Sequence, residues 1–167
     1  MNQENLVKLI ELAGQKGITI GSCESFTAGL FCAALASVPG ASAVLKGGMV
    51  TYCNEIKATL AHINPVLLKQ KGAVSPEVCA EMALNARVLL DVDYGVSFTG
   101  NAGPSGQDGV PVGLFYLGLC KPDQTITYQC FSSQPRNLLR EEAVDLMVEK
   151  LLQAIENDGQ LAFSSKS

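Results

Sequence analysis

The chain has 167 residues, 47% of them hydrophobic and 17% charged, which suits one domain burying roughly 70% of its unfolded surface. A net charge of −4, 6% aromatic residues and the absence of any Lys/Arg run exclude a basic nucleic-acid groove, and no apolar run approaches the ~20 residues that span a bilayer. One histidine and six cysteines without a C-x-x-C pair exclude a His-rich metal centre and a dithiol redox site, so the thiols read as buried and reduced.

The N-terminal segment, Met1 to Gly17, carries Leu6, Leu9, Ile10 and Ala13 at helical spacing, with mixed charge and no signal-peptide pattern. The chain therefore reads as cytoplasmic, and its lean polar surface suggests a homo-oligomer. Gly17 stops the first helix. A strand over Ile18–Ser22 and a helix over Thr27–Ser37 follow, joined by a short polar turn. Pro39-Gly40 leads to a second strand, Gly48–Tyr52. Asn54 is placed to cap a short helix holding Glu55, Ile56, Lys57 and Leu60. His62 lies in a turn and reads as a surface residue.

Lys71–Val74 is a connector, and Ser75-Pro76 reads as N-cap and N1 of a helix running to Leu90. A third strand covers Tyr94–Thr99, followed by a glycine-rich loop, Gly100–Pro111. Val112–Cys120 and Thr125–Phe131 form a hairpin around Lys121-Pro122-Asp123-Gln124. Pro135 opens a last helix to about Glu156. Alternating strands and helices followed by a hairpin predict a single-domain three-layer α/β/α sandwich over residues 1–160, with a mixed, mostly parallel sheet. The tail from 161 to 167 is expected to fray.

Ser25 is the candidate nucleophile, because a strand feeding a helix through a tight turn raises one side chain above the sheet edge. The first N–H groups of that helix would hold an oxyanion. The same residue type also serves simply as a helix N-cap. With no usable histidine, lysine is the alternative base, provided desolvation lowers its pKa. Tyr52 and Lys57, at a strand end and a helix start, are expected near the sheet edge where ligands sit in open α/β folds. Read separately, they are a half-buried strand tyrosine and a solvated helix lysine. Their Y-x-x-x-x-K spacing is one residue longer than the dehydrogenase pair, and no G-x-G-x-x-G loop follows the first strand, which sets aside an oxidoreductase. The loop glycines Gly100, Gly103, Gly106, Gly109 and Gly113 would let backbone N–H groups approach a ligand, or form a plain connector. Arg136 and Arg140 share a helix face near its start, suited to a phosphate or to solvent.

In order along the chain, these segments resemble a known family. Cys23-Glu24-Ser25-Phe26-Thr27-Ala28-Gly29 is similar to its A-E-S-C-T-G-G segment, and Gly48 through Lys57 to G-x-V-x-Y-S-N-E-x-K. Gly72-Ala73-Val74-Ser75 matches G-A-V-S, Thr99 through Pro104 resembles S/T-G-I-A-G-P, and Pro111-Val112-Gly113 matches P-V-G. Phe131-Ser132 with Arg136 and Arg140 resembles F-x-G-x-R-x-x-x-R. This is the CinA C-terminal-domain family, the nicotinamide-nucleotide amidohydrolases, here in a form resembling its stand-alone members.

The resemblance implies hydrolysis of the carboxamide of nicotinamide mononucleotide to nicotinate mononucleotide and ammonia, with no cofactor and no metal. It implies Ser25 as nucleophile, with Lys57 and Tyr52 as base and proton-relay partners. It further implies a substrate-binding set of Thr27, Gly29, Asn54, Thr99, Gly100, Asn101, Gly103, Arg136 and Arg140. The implied partner is a small pyridine nucleotide, not a nucleic acid or a membrane. Two residues depart from the family pattern. Ala28 stands at a glycine position and would be strained if its φ is positive, its methyl being expected beside the oxyanion site. Asn101 puts an amide in a loop expected to face substrate. The retained Ser25, Tyr52 and Lys57 argue for the enzyme, and the two departures lend weight to an alternative reading, a catalytically weak nucleotide-binding or protein-interaction module of the same fold.

Overall fold

The computed structural model describes residues 1–106 and 109–164. Its sheet has the order β2-β1-β3-β4-β5, from β1 (Ile20–Glu24), β2 (Leu45–Val50), β3 (Tyr94–Gly100), β4 (Leu114–Lys121) and β5 (Gln124–Phe131). β1 pairs in parallel with both β2 and β3, and β4 is antiparallel to β3 and β5. Only β4 therefore runs against the others, and the expected mixed, mostly parallel sheet is what forms. The helices are α1 (Gln3–Lys16), α2 (Leu30–Ala36), α3 (Asn54–Thr59), α4 (Pro65–Lys71), α5 (Pro76–Leu89) and α6 (Arg136–Ser164). Among the described residues no helix is long and apolar enough to cross a membrane.

Alternation along the strands assigns the layers. Tyr94, Val96 and Phe98 of β3, with Phe115, Leu117 and Leu119 of β4, join the cluster made by α1, α2 and α6. The helical spacing of Leu6, Leu9, Ile10 and Ala13 builds the α1 side of that core. Cys23 of β1 and Met49 of β2 face the opposite way, into a cluster with Val78, Met82 and Ala86 of α5. Here α5 lies hard against the sheet. A Cβ at Gly95 would come within 2.3 Å of the Ala83 carbonyl oxygen, and one at Gly118 within 2.8 Å of that of Cys79.

Several boundaries differ from the sequence reading. β1 starts at Ile20 rather than Ile18, because Ile18 N–H closes the α1 C-terminus on the Ala13 carbonyl and Gly17 takes the left-handed cap at φ +64. β2 ends at Val50, not Tyr52. Helix α4 was not foreseen, although Asn64 caps it, accepting from Val66 N–H, and Pro65 occupies its first turn. The N-cap of α3 is Cys53 without a side-chain bond, and Asn54 is its first helical residue rather than its cap. α6 runs past Glu156 to Ser164. Tyr94 Oη and Lys121 Nζ both donate to the Asp158 carboxylate, at 2.5 and 2.7 Å, a tertiary tie that overrides the weak helix propensity of Asn157 and Gly159. Of the tail expected to fray, 161–164 is helical and 165–167 lies outside the described residues.

Candidate active site

The β1 end sends consecutive side chains to opposite faces. Glu24 turns toward α2, and Ser25 emerges on the Cys23 face, toward α3. Strand order also reverses around β1, since the chain leaves it for β2 and returns to β3 on its other side. Such a switch point opens a crevice at the carboxyl ends of the strands. Ser25 is fixed across it by its own N–H, which donates to the Phe98 carbonyl at 2.9 Å.

Lys57 is the only buried residue of α3, at 1% exposure. Its Nζ lies 2.9 Å from Ser25 Oγ and 2.8 Å from the Thr51 carbonyl oxygen, to which it donates. No carboxylate pairs with it among the described salt bridges. Burial therefore dominates and holds its pKa below the ordinary 10.5. Glu24, the carboxylate nearest in sequence to Ser25, is turned away from it. The neutral amine is the form that can take a proton from Ser25, and the Thr51 carbonyl aims it. A nucleophile, a base in reach and a third group orienting the base are the parts of an activated hydroxyl. Burial also pushes the Cys23 thiol up to about 11, so this neighbour stays protonated.

Around this pair lies a cavity of about 540 Å³, within the range of small-ligand sites. Ser25, Tyr52, Asn54, Lys57, Thr99, Gly100, Asn101, Gly103 and Arg136 of the expected set line it. Tyr52 is 56% exposed, and its hydroxyl accepts from Arg136 Nη2 at 2.8 Å. No hydrogen bond joins it to Ser25 or Lys57 among the described residues. Direct Ser25–Lys57 contact leaves no gap for a relay, so Tyr52 stands at the cavity wall as the partner of Arg136. Arg136 also donates to the Gly103 carbonyl and so spans the cavity mouth. Asn101 does not offer its amide freely. Its Nδ2 donates to the Val110 carbonyl and its Oδ1 accepts from Gly103 N–H, which braces the glycine-rich loop. Thr99 Oγ1 donates to the Ala73 carbonyl at 2.6 Å.

Three residues of the expected substrate set, Thr27, Gly29 and Arg140, do not line the cavity. Thr27 is fully buried, its hydroxyl without a partner among the described residues. Gly29 N–H is spent on Glu24 at 2.9 Å. The Glu24 carboxylate also takes Phe31 N–H, Cys32 N–H and Ser22 Oγ–H. The helix N-terminus expected to hold an oxyanion is thus already filled by a buried side-chain anion. Phe26 N–H and Thr27 N–H, directly after Ser25, have no acceptor among the described hydrogen bonds and are the donors left free to face an oxyanion. Arg140 is committed to the carbonyls of Phe26 and Thr27. Ala28 has the positive φ, +52°, that the sequence reading treated as a source of strain, but it is exposed and off the cavity wall, so its methyl does not crowd the site. His62 is exposed, as expected.

The sequence reading passed over Phe26, Cys53 and the segment Lys71–Val74, all on the cavity wall. The Gly72–Val74 stretch was legible as a motif but not as a wall, because its place depends on how α5 docks. Among the described residues no group of three His, Cys, Asp or Glu side chains is placed to hold a metal ion.

The comparisons with known proteins agree with this architecture. Residues 3–155 match the model of the CinA C-terminal domain. A putative competence-damage inducible protein of Listeria monocytogenes serovar 1/2a is 45% identical over 131 residues, 78% of this chain and 32% of that protein. One from a Geobacillus species is 37% identical over 161 residues, 93% of this chain and 39% of that protein. The chain thus spans about a third of the length of these curated relatives. The crystal structure of a competence/damage inducible protein of Agrobacterium tumefaciens superposes with a TM-score of 0.87 at 29% identity, covering 92% of this chain and 94% of that one. A CinA superfamily protein of Klebsiella pneumoniae shares the fold at a TM-score of 0.90 and 24% identity, covering 94% of this chain and 99% of that one. By the match to most of its length, the chain belongs to the CinA C-terminal domain family.

Proposed function

We propose that this protein is an amidase that hydrolyses the carboxamide of nicotinamide mononucleotide to nicotinate mononucleotide and ammonia. The observation that carries the reading is the buried Lys57 Nζ, 2.9 Å from Ser25 Oγ and without a carboxylate partner among the described residues. Lys57 takes the Ser25 proton as Oγ attacks the carboxamide carbon. The tetrahedral oxyanion sits against Phe26 N–H and Thr27 N–H. The C–N bond breaks, the Lys57 ammonium returns its proton to the leaving nitrogen, and ammonia departs. Water, deprotonated by the same lysine, then attacks the acyl-enzyme; the C–Oγ bond breaks, Lys57 returns the proton to Ser25 Oγ, and the carboxylate is freed.

Arg136 supports a phosphate-bearing substrate. It is the arginine on the cavity wall, and its present partners, the Tyr52 hydroxyl and the Gly103 carbonyl, are neutral. A phosphate offers it charge-assisted bonds roughly twice as strong. The test is ammonia release from nicotinamide mononucleotide by purified, chelator-treated protein, with Ser25→Ala as the blank. Release that the blank abolishes supports the reading. No release above the blank overturns it and leaves a binding module.

A further inference from the structure

We infer that Arg140 is a positioning residue for the oxyanion donors, acting through the backbone of the Ser25 turn. The inference rests on Ser25 being the nucleophile. Arg140 Nε donates to the Phe26 carbonyl at 2.9 Å, and Nη2 to the Thr27 carbonyl at 2.7 Å. Nη1 reaches Asn137 Oδ1 at 3.4 Å. The guanidinium fork is thus occupied by two successive peptide carbonyls. The peptides following Phe26 and Thr27 are trans, so each carbonyl and the next N–H point in opposite directions. Fixing the Phe26 carbonyl on Arg140 turns Thr27 N–H away from α6. Fixing the Thr27 carbonyl turns Ala28 N–H the same way, onto the Ser25 carbonyl at 3.1 Å, which closes the turn over the nucleophile.

The far end of the turn is held separately. The buried Glu24 carboxylate takes Gly29, Phe31 and Cys32 N–H. Glu24 fills the helix N-terminus, and between that anchor and Ser25 Arg140 holds the Phe26 carbonyl alone and shares the Thr27 carbonyl with Leu30 N–H at 3.1 Å. Thr27 N–H is left unspent among the described hydrogen bonds, turned away from α6. An oxyanion donor stabilises the transition state only when held in place beforehand, and two bonds from one rigid fork do that where a flexible ammonium would not.

The test uses the full chain and two substrates. p-Nitrophenyl acetate is the probe for Ser25 acylation without any nucleotide contact, and nicotinamide mononucleotide reports the proposed reaction. Arg140→Ala should slow the Ser25 acylation burst roughly 10²-fold, and kcat on the mononucleotide by a similar factor, with KM changed less than about twofold. Added guanidinium ion should restore part of the burst in Arg140→Ala. Arg140→Lys, which keeps charge but loses the fork, should fall between the two. A normal burst per folded molecule with a lower melting temperature would make Arg140 merely structural and overturn the inference. A raised KM for the mononucleotide but not for its riboside, with the burst intact, would make it a phosphate contact and overturn it too. A wild type that acylates Ser25 but leaves the mononucleotide intact removes the substrate reading alone, and the burst still decides on Arg140. A wild type inert toward both compounds overturns both.

Discussion

Two strand-to-helix turns meet at the same sheet edge, and they are built in opposite ways. The β1–α2 turn, which carries Ser25, is held from both sides. Glu24 spends a buried carboxylate on four donors, and Arg140 grips two of its carbonyls. The β2–α3 turn, which delivers Lys57, has no side-chain cap, and Tyr52 and Cys53 within it are exposed. Its one inward anchor is Lys57 itself. Ser25 therefore sits on a preformed frame, whereas Lys57 is placed by the contacts it makes with Thr51 and Ser25. Removing a side chain should have different consequences at the two turns.

The largest effect should come from Ser25→Ala. Turnover should fall roughly 10³-fold or more, while thermal unfolding stays close to wild type, because Glu24 and Arg140 hold the turn without the hydroxyl. A large drop in melting temperature would break the comparison, since it would make Ser25 part of its own frame.

Lys57 should behave otherwise. Lys57→Ala and Lys57→Arg should both lose on the order of 10²–10⁴-fold in kcat, because an arginine pKa above ~12 forbids the base role. Both should also lower stability, since α3 loses its anchor. The pH profile gives the sign. Only the neutral amine is a base, so kcat/KM should rise with pH toward the Lys57 pKa, which burial places below 10.5, and then level off. In folding, the native state binds fewer protons than the unfolded chain between that lowered value and 10.5. The Lys57 contribution to stability is thus greatest above 10.5 and is lost as pH falls through the lowered value. Lys57→Met should flatten that part of the stability–pH curve, which pH-dependent denaturant titrations would read.

Arg136→Ala should raise KM for the mononucleotide about 10–150-fold, the worth of roughly 1.5–3 kcal/mol in a charged hydrogen bond, with little change in kcat. The defect should shrink with nicotinamide riboside. Equal defects on both compounds would return Arg136 to the role of a strap between Tyr52 and Gly103.

Stability should separate the turns as well. Glu24→Ala leaves buried N–H groups without an acceptor and should cost about 1–3 kcal/mol or more, whereas Cys53→Ala at the uncapped turn should stay within about 0.5 kcal/mol. Ala28→Gly should act in the opposite direction to Glu24→Ala. A left-handed alanine at φ +52° costs roughly 1–2 kcal/mol, and the added unfolded-state entropy of glycine offsets part of that. A gain of up to about 1 kcal/mol in denaturant melts is expected, with catalysis unchanged. A loss would mean that the methyl packs usefully.

Much of the fold follows from the sequence alone. The helical spacing of Leu6, Leu9, Ile10 and Ala13 and the Ser75-Pro76 start describe α1 and α5, and the Pro122-Asp123 turn describes the hairpin. These signals are local, set by side-chain periodicity and backbone chemistry. The position of Ser25 was legible for the same reason, as a small polar turn between strand and helix. What tertiary structure alone decided concerns partners distant in the chain. Nothing around Lys57 in the sequence distinguishes a buried amine from a solvated helix lysine; it is desolvated because folding brings its Nζ onto Ser25 Oγ and the Thr51 carbonyl, just beyond the ends of β1 and β2. Arg136 and Arg140 looked equivalent, one turn apart on one face. About 6 Å of helix rise puts one at the cavity and the other on the carbonyls of Phe26 and Thr27. The helix N-terminus looked open to an oxyanion until folding brought the Glu24 carboxylate back onto Gly29, Phe31 and Cys32. Periodicity determines which faces are buried, but which polar group meets which depends on distances that only the packed layers set.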